Sequence, residues 1–264
     1  MPGNPDVGGR GLTALCIIPA RGGSKRIKSK NILPFLGRPM ISYSLDAARD
    51  ANIFSDIHVS TESGDIRDVV EGLGYRVPFL RPAALADDHT PLVPVLRWVL
   101  EAFVDRGVRF DSVCLLMSCA PLVRPADLQD AYELFEKNGA EHPVLSVARF
   151  SAPAEWAYNR DDAGFLSARE PETLSIRSQD LRDSYYDTGT FAIFPTAQIL
   201  DDSYQGGGRM LSFILPSWRA VDIDSADDLV HAEILARGIA AKAQAPSPDD
   251  AGLHISNATN SGQT

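Results

Sequence analysis

From Ala14 onward the chain alternates short apolar runs with longer segments whose apolar residues recur at helical spacing. The run Ala14–Ala20 (ALCIIPA) carries no charge, as expected of a strand buried on both faces. Leu92, Val95, Leu96, Val99, Leu100 and Phe103 recur at i, i+3, i+4, i+7, i+8 and i+11. This predicts a helix with Thr90 as N-cap and Pro91 as first residue. Pro94 still falls in its first turn, where its missing N–H had no partner to lose. Pro39 opens another helix, with Ile41, Leu45 and Ala48 on one face, and Pro125 to about Lys137 a third. Ile57–Thr61, Ser112–Met117, Pro143–Arg149 and Trp218–Asp224 read as further strands. Ser225 and Asp228 frame a final helix start in the manner of a capping box. Strands alternating with amphipathic helices imply an α/β fold: a mostly parallel, Rossmann-like sheet with helices on both faces.

The stretch 150–194 breaks the rhythm. It holds Trp156, Tyr158, Phe165, Tyr185, Tyr186 and Phe191 among Pro, Asp and Gly. We read an inserted β-hairpin region that returns to the main sheet, with aromatics of the kind that pack against a second subunit. Residues 1–12 and 243–264 are Gly/Pro-rich or Ser/Asn-rich and read as a disordered N-terminus and tail, leaving 13–242 as the folded unit.

The net charge of −10 argues against nucleic acid or an anionic membrane as the partner. No apolar stretch approaches the ~20 residues that span a bilayer, and the first residues lack a signal-peptide core. Cys16, Cys114 and Cys119 show no metal-ligand spacing and read as buried thiols, in keeping with a cytoplasmic protein.

Against that acidic background, Arg21, Lys25, Arg26, Lys28 and Lys30 crowd into ten residues after the first strand. Gly22 and Gly23 suit a backbone that approaches a phosphate closely or adopts positive φ. With the Ser24 hydroxyl, such a loop can neutralise a triphosphate at the carboxyl end of a strand. Neither the Walker A nor the G-x-G-x-x-G pattern is present. Composition alone also fits a solvated basic loop. Further on, Asp222 and Asp224 flank Ile223, so alternation puts both carboxylates on one face. Two hard oxygen ligands at that spacing suit Mg²⁺. An Asp-x-Asp pair before a capped helix also fits a solvated or capping role, and Asp227 and Asp228 suit the helix N-terminus.

The stretch IIPARGGSKRIKSKN resembles the signature loop of the acylneuraminate (CMP-sialic acid) cytidylyltransferases. VSTES (Val59–Ser63), FLRP (Phe79–Pro82), LADDHT (Leu85–Thr90), APL (Ala120–Leu122) and VDIDSADDL (Val221–Leu229) follow in that family's order. The resemblance implies a nucleotidyltransferase fold, a homodimer and transfer of CMP from CTP to a nine-carbon 2-keto sugar acid. It implies a nucleotide loop of Ala20, Arg21, Gly22, Gly23, Ser24 and Lys25, with Arg21, Ser24 and Lys25 on the phosphates. Lys30 and Asn31 would lie beside the phosphates and the cytosine. Arg21, Lys25, Asp222 and Asp224 would carry catalysis, the two aspartates as Mg²⁺ ligands.

Residues 176–191, with Arg-Ser-Gln-Asp-Leu and then Tyr-x-Asp-x-Gly-x-Phe, look most like the pseudaminic acid branch. Arg177 suits the sugar carboxylate through its bidentate fork, and Gln179, Tyr186 and Asp187 suit hydroxyl or acylamino groups. The tyrosines also fit hairpin packing. Two departures stand out. Met117 replaces the glutamine of sialic-type members, and Gly189-Thr190-Phe191-Ala192-Ile193 replaces Gly-Gln-Phe-Tyr-Trp, a change expected to reshape the sugar pocket. CMP-legionaminate and CMP-N-acetylneuraminate synthesis are the alternative activities. A nucleotide-sugar glycosyltransferase would explain Asp-x-Asp without explaining the basic loop; a non-catalytic nucleotide-binding protein is the third reading. His58 and His89 are read as structural, so no general base is assigned.

Overall fold

The computed structural model describes residues 12–244. The expectation for 1–12 lies outside the described residues except at Leu12. That for 243–264 lies outside them except at its first two residues, which continue the last helix. In chain order the elements begin with β1 (Ala14–Pro19), the short pair β2 (Pro34–Phe35) and β3 (Arg38–Pro39), and α1 (Met40–Ala51). There follow β4 (Asp56–Ser60), α2 (Gly64–Gly72), α3 (Leu92–Val104), β5 (Ser112–Leu116), α4 (Pro125–Lys137) and β6 (Val144–Arg149). The hairpin β7 (Tyr158–Arg160) and β8 (Leu166–Ala168) precedes β9 (Tyr185–Pro195), α5 (Thr196–Leu200), β10 (Leu211–Ile214) and α6 (Ala226–Gln244).

The main sheet has the order β10-β6-β9-β5-β1-β4, and β9 alone runs antiparallel to its neighbours. Strand alternation divides the core between two faces. Cys16, Ile18, Cys114 and Leu116 face Ile41 and Leu45 of α1, Ile66 of α2 and Phe135 of α4. Leu15, Ile17, Val113 and Leu115 face Leu96, Val99 and Phe103 of α3 and Ile199 of α5. The expected α/β architecture with helices on both faces is thus present, and no helix among the described residues is long and apolar enough to cross a membrane.

Two local expectations fail. Trp218–Asp224 is not a strand. Pro216 caps a single 3₁₀ turn, Ser217–Arg219, and Arg219 is drawn into a buried ion pair with Asp127 at the start of α4. The residues that follow belong to no strand, and Val221 and Ile223 are buried against Phe35, Cys119 and α6 rather than in the sheet. The last place in the sheet goes to β10, whose Leu211 pairs with Val144 at the edge. The second failure is Thr90, which does not cap α3. Its hydroxyl donates to Asp87 Oδ1 at 2.8 Å, and Pro91 takes the N-cap position.

His58, at the centre of β4, stacks on Phe79 at 4.3 Å and meets Phe103 edge-on. Burial, with the Arg106 charge adding, pushes its pKa down to about 3, so it is a neutral core residue.

Candidate active site

The loop that carries the predicted nucleotide residues leaves the carboxyl edge of the parallel strands, beside the loops that follow β4 and β5. Residues 20–31 follow β1, 61–63 follow β4 and 117–124 follow β5. Because β9 is reversed, its early residues reach the same edge, where the Met117 N–H donates to Thr190 O at 2.8 Å.

The basic loop is folded back on its own start. The Ala20 N–H donates to Ser60 O, and the buried Asn31 donates from Nδ2 to Arg21 O at 2.8 Å. Asn31 Oδ1 lies 2.7 Å from Ser118 Oγ, which reaches from the end of β5. Asn31 therefore joins the two ends of the loop. The Gly22 N–H donates to Glu62 Oε1 at 2.7 Å, and Arg81 holds the other Glu62 oxygen at 3.1 Å. The positive-φ half of the glycine expectation is corrected here. Neither Gly22 nor Gly23 has positive φ. A Cβ on Gly22 would lie 3.0 Å from Ser63 Cβ, whereas one on Gly23 would meet nothing within 4 Å. Gly22 packs closely on the β4–α2 turn.

The loop and Asp224 of the acidic pair meet across one cleft of about 490 Å³. Lys30 Nζ donates to Ile223 O at 2.7 Å and to Asp224 Oδ1 at 3.0 Å, and Arg26 approaches Asp224 Oδ2 at 2.9 Å. Arg21 and Lys25 both pair with Asp88, and Ser24, Asn31 and Met117 also line the cleft. Burial alone would raise the Asp224 pKa, but Lys30 and Arg26 outweigh it and hold the carboxyl below the usual range.

Asp222 differs. It lies behind the cleft wall, with Oδ1 accepting from Cys119 Sγ at 3.0 Å. Gly189, at φ +62°, runs so close that a Cβ would sit 2.9 Å from Asp222 Oδ2. Burial, with Asp224 adding, raises the Asp222 pKa, and burial pushes the Cys119 thiol up to about 12, so it stays protonated and donates. Asp222 is desolvated against Cys119, whereas Asp224 is partly exposed and paired with Lys30 and Arg26; both offer hard oxygen donors of the type Mg²⁺ takes. Among the described residues no group of three or more His, Cys, Asp or Glu side chains could hold a metal, so further ligands would come from substrate and water.

The four sugar-site candidates are elsewhere; none lines this cleft. Arg177 is exposed and pairs with Asp180, its Nε 2.8 Å from Oδ2. Gln179 lines a separate hollow of about 520 Å³ together with Arg149, Phe150, Arg182 and Ser184. Tyr186 packs on Phe150 with ring centroids 5.0 Å apart, and Asp187 accepts from the Gly189 N–H at 2.9 Å. The departure at 190–193 falls inside the sheet rather than on a pocket wall. Thr190 joins Ser146 and Thr188 in a buried hydroxyl cluster, and Ala192 and Ile193 are core residues.

Sequence reasoning missed the roles of Glu62, Arg81, Asp88, Cys119 and Gly189 in this arrangement. Glu62, Arg81 and Asp88 lie in segments already noted for order and composition, but their partners are distant in sequence. Cys119 reads as an ordinary core thiol until its neighbour Asp222 is known.

A family model described as cytidylyltransferase matches residues 15–175. A pseudaminic acid cytidylyltransferase of Campylobacter jejuni subsp. jejuni is 34% identical over 221 residues, covering 84% of this chain and 95% of its own. A CMP-N,N'-diacetyllegionaminic acid synthase of Legionella pneumophila is 36% identical over 226 residues, with 85% and 96% covered. Among solved structures, a CMP:2-keto-3-deoxy-manno-octonic acid synthetase complexed with CTP superposes with a TM-score of 0.65 at 16% identity, covering 86% of this chain and 99% of that one. At that identity the last match speaks for the fold alone.

Proposed function

The chain belongs to the cytidylyltransferase family, and on that premise we propose that it transfers CMP from CTP to the anomeric hydroxyl of a nonulosonic acid, with pseudaminic acid as the preferred acceptor. The observation that carries this reading is the single cleft in which Arg21, Lys25 and Lys30 meet Asp224. The acceptor hydroxyl oxygen attacks the α-phosphorus of CTP, the bond to the bridging oxygen of the β-phosphate breaks, and pyrophosphate leaves. The hydroxyl proton passes to solvent, since no side chain is assigned as its base.

Arg21, Ser24 and Lys25 serve as donors to the phosphates, and Lys30 offsets charge next to Asp224. Such fixed donors act mainly by positioning and by neutralising charge that develops in the transition state. Asp222 and Asp224 would hold Mg²⁺, which would supply Lewis-acid neutralisation of charge on the transferring phosphoryl group. Cys119 and the close backbone of Gly189 orient Asp222 for that task.

Arg177, Gln179, Tyr186 and Asp187 belong to the acceptor half of this proposal. We take the working unit to be a cytoplasmic homodimer. Its contact surface would include the β7–β8 hairpin, where Phe165 and Leu166 are 74% and 64% exposed.

Mass spectrometry after incubation with CTP, Mg²⁺ and, separately, pseudaminic, legionaminic and N-acetylneuraminic acids tests the reading. We expect the CMP adduct of pseudaminic acid and released pyrophosphate. An adduct with only another acid would reassign the acceptor. Release of a nucleoside diphosphate from a nucleotide sugar, or CTP binding without turnover, would overturn the reaction class.

A further inference from the structure

Asp88 stands in the way of the donors just assigned to phosphates. It lies on the loop between Pro82 and Pro91, whose Leu85, Asp87, Asp88 and Thr90 line the cleft together with Asp224. One carboxylate oxygen pairs with Arg21 and the other with Lys25. Both cations hold the Asp88 carboxyl below the usual range, so it is anionic at any neutral pH. The loop is built to present it. The neighbouring Asp87 turns inward along the loop, where its Oδ1 accepts from the N–H groups of His89 and Thr90 at 2.8 and 2.7 Å and from the Thr90 hydroxyl. Of two adjacent aspartates, one fixes the loop and the other reaches across to the basic turn.

Arg21 and Lys25 cannot serve Asp88 and a polyphosphate equally. The Lys25 side chain is 77% exposed, and a single carboxylate on such mobile cations is a weak partner. A polyphosphate offers several charges and more acceptor oxygens to the same two groups. We propose that Asp88 is an internal competitor for the polyphosphate, yielding Arg21 and Lys25 to CTP and taking them back as pyrophosphate leaves. No covalent bond is made or broken; one anion exchanges for another on the same two cations. The consequence is a cleft that holds its leaving group less tightly than its cations alone would, and that therefore releases product more readily.

This inference rests on the reading of the cleft as a CTP site, and the test separates the two. Calorimetric titration of the full chain with inorganic pyrophosphate, and separately with CTP, would compare wild type with Asp88→Asn and with Glu71→Gln. The last removes one negative charge away from the cleft. We expect Asp88→Asn to bind pyrophosphate about three- to tenfold more tightly, with Glu71→Gln unchanged. Asp88→Ala, measured in parallel, gives the same answer should the amide variant fold poorly; thermal melting of each variant establishes that. Equal or weaker binding by the Asp88 variants overturns the inference, as does equal tightening in Glu71→Gln. Wild type that binds neither CTP nor pyrophosphate overturns the nucleotide reading itself.

Discussion

The basic cleft is held by bonds that join remote parts of the chain, whereas the region between β6 and β9 is held by bonds between near neighbours. Lys30 reaches Ile223 and Asp224 across 193 and 194 residues, and Ser118 reaches Asn31 across 87. In the insertion, Arg177 bonds Asp180 three residues away, Phe165 bonds Asp161 four away, and Trp156 bonds Thr173 seventeen away. The difference teaches that the nucleotide half of the site closes within one chain. The insertion is held largely by bonds within itself and keeps Phe165 and Leu166 in solvent. Exposed apolar side chains gathered in one segment are the kind of surface that interactions use.

The contrast yields an ordered set of expectations. Arg21→Ala and Asp224→Ala should each lower turnover at least about a hundredfold while leaving thermal melting nearly unchanged, as expected for loss of one fixed charge partner in phosphoryl transfer. Near-wild-type kcat in either variant would remove that residue from the chemistry. Arg177→Ala should act on one substrate only, raising KM for the sugar acid about tenfold and leaving KM for CTP alone. Equal effects on both substrates would erase the division between the halves.

A third expectation concerns the support beneath the cleft, and its sign follows from His58. The imidazole is neutral in the fold, with a pKa of about 3, while an unfolded chain takes a proton near 6.5. Stability from this site is full above pH 6.5 and is lost as pH falls toward 3, by about 1.4 kcal/mol per unit at most. Denaturant titrations at pH 7 and 5 should show that loss in wild type and a smaller one in His58→Phe. Hydrogen exchange gives the smallest effect: amides of 20–31 should exchange more slowly than those of 158–168, and equal rates would deny the difference in local stability.

The fold was legible because periodicity survives burial. β1, α3 and α4 were found within a residue or so, since continuous apolar character and i, i+3, i+4 spacing report two-sided and one-sided burial. β10 was missed because Leu211–Ile214 is a four-residue edge strand of alternating exposure after three glycines. Trp218–Asp224 imitated a strand because Val221 and Ile223 are buried by α6 and Cys119, and alternation does not report which element buries them. In the site, five clustered cations in an acidic chain announced the loop. Asp88 carried no such signal: an acidic loop residue is ordinary until its partners are known to lie more than sixty positions upstream. Arg177 carried a charge suited to a carboxylate, and in this structure that charge is met by Asp180 within one turn.

The central claim is that the cationic turn after β1 and the Asp222–Asp224 pair serve one nucleotide. A crystal structure with CTP and Mg²⁺ tests it most directly. We expect the phosphates against Arg21 and Lys25, with metal density between the phosphates and the two aspartates. A nucleotide seated instead in the hollow beside Gln179 and Arg182, with the basic turn still bonded to Asp88, would contradict it.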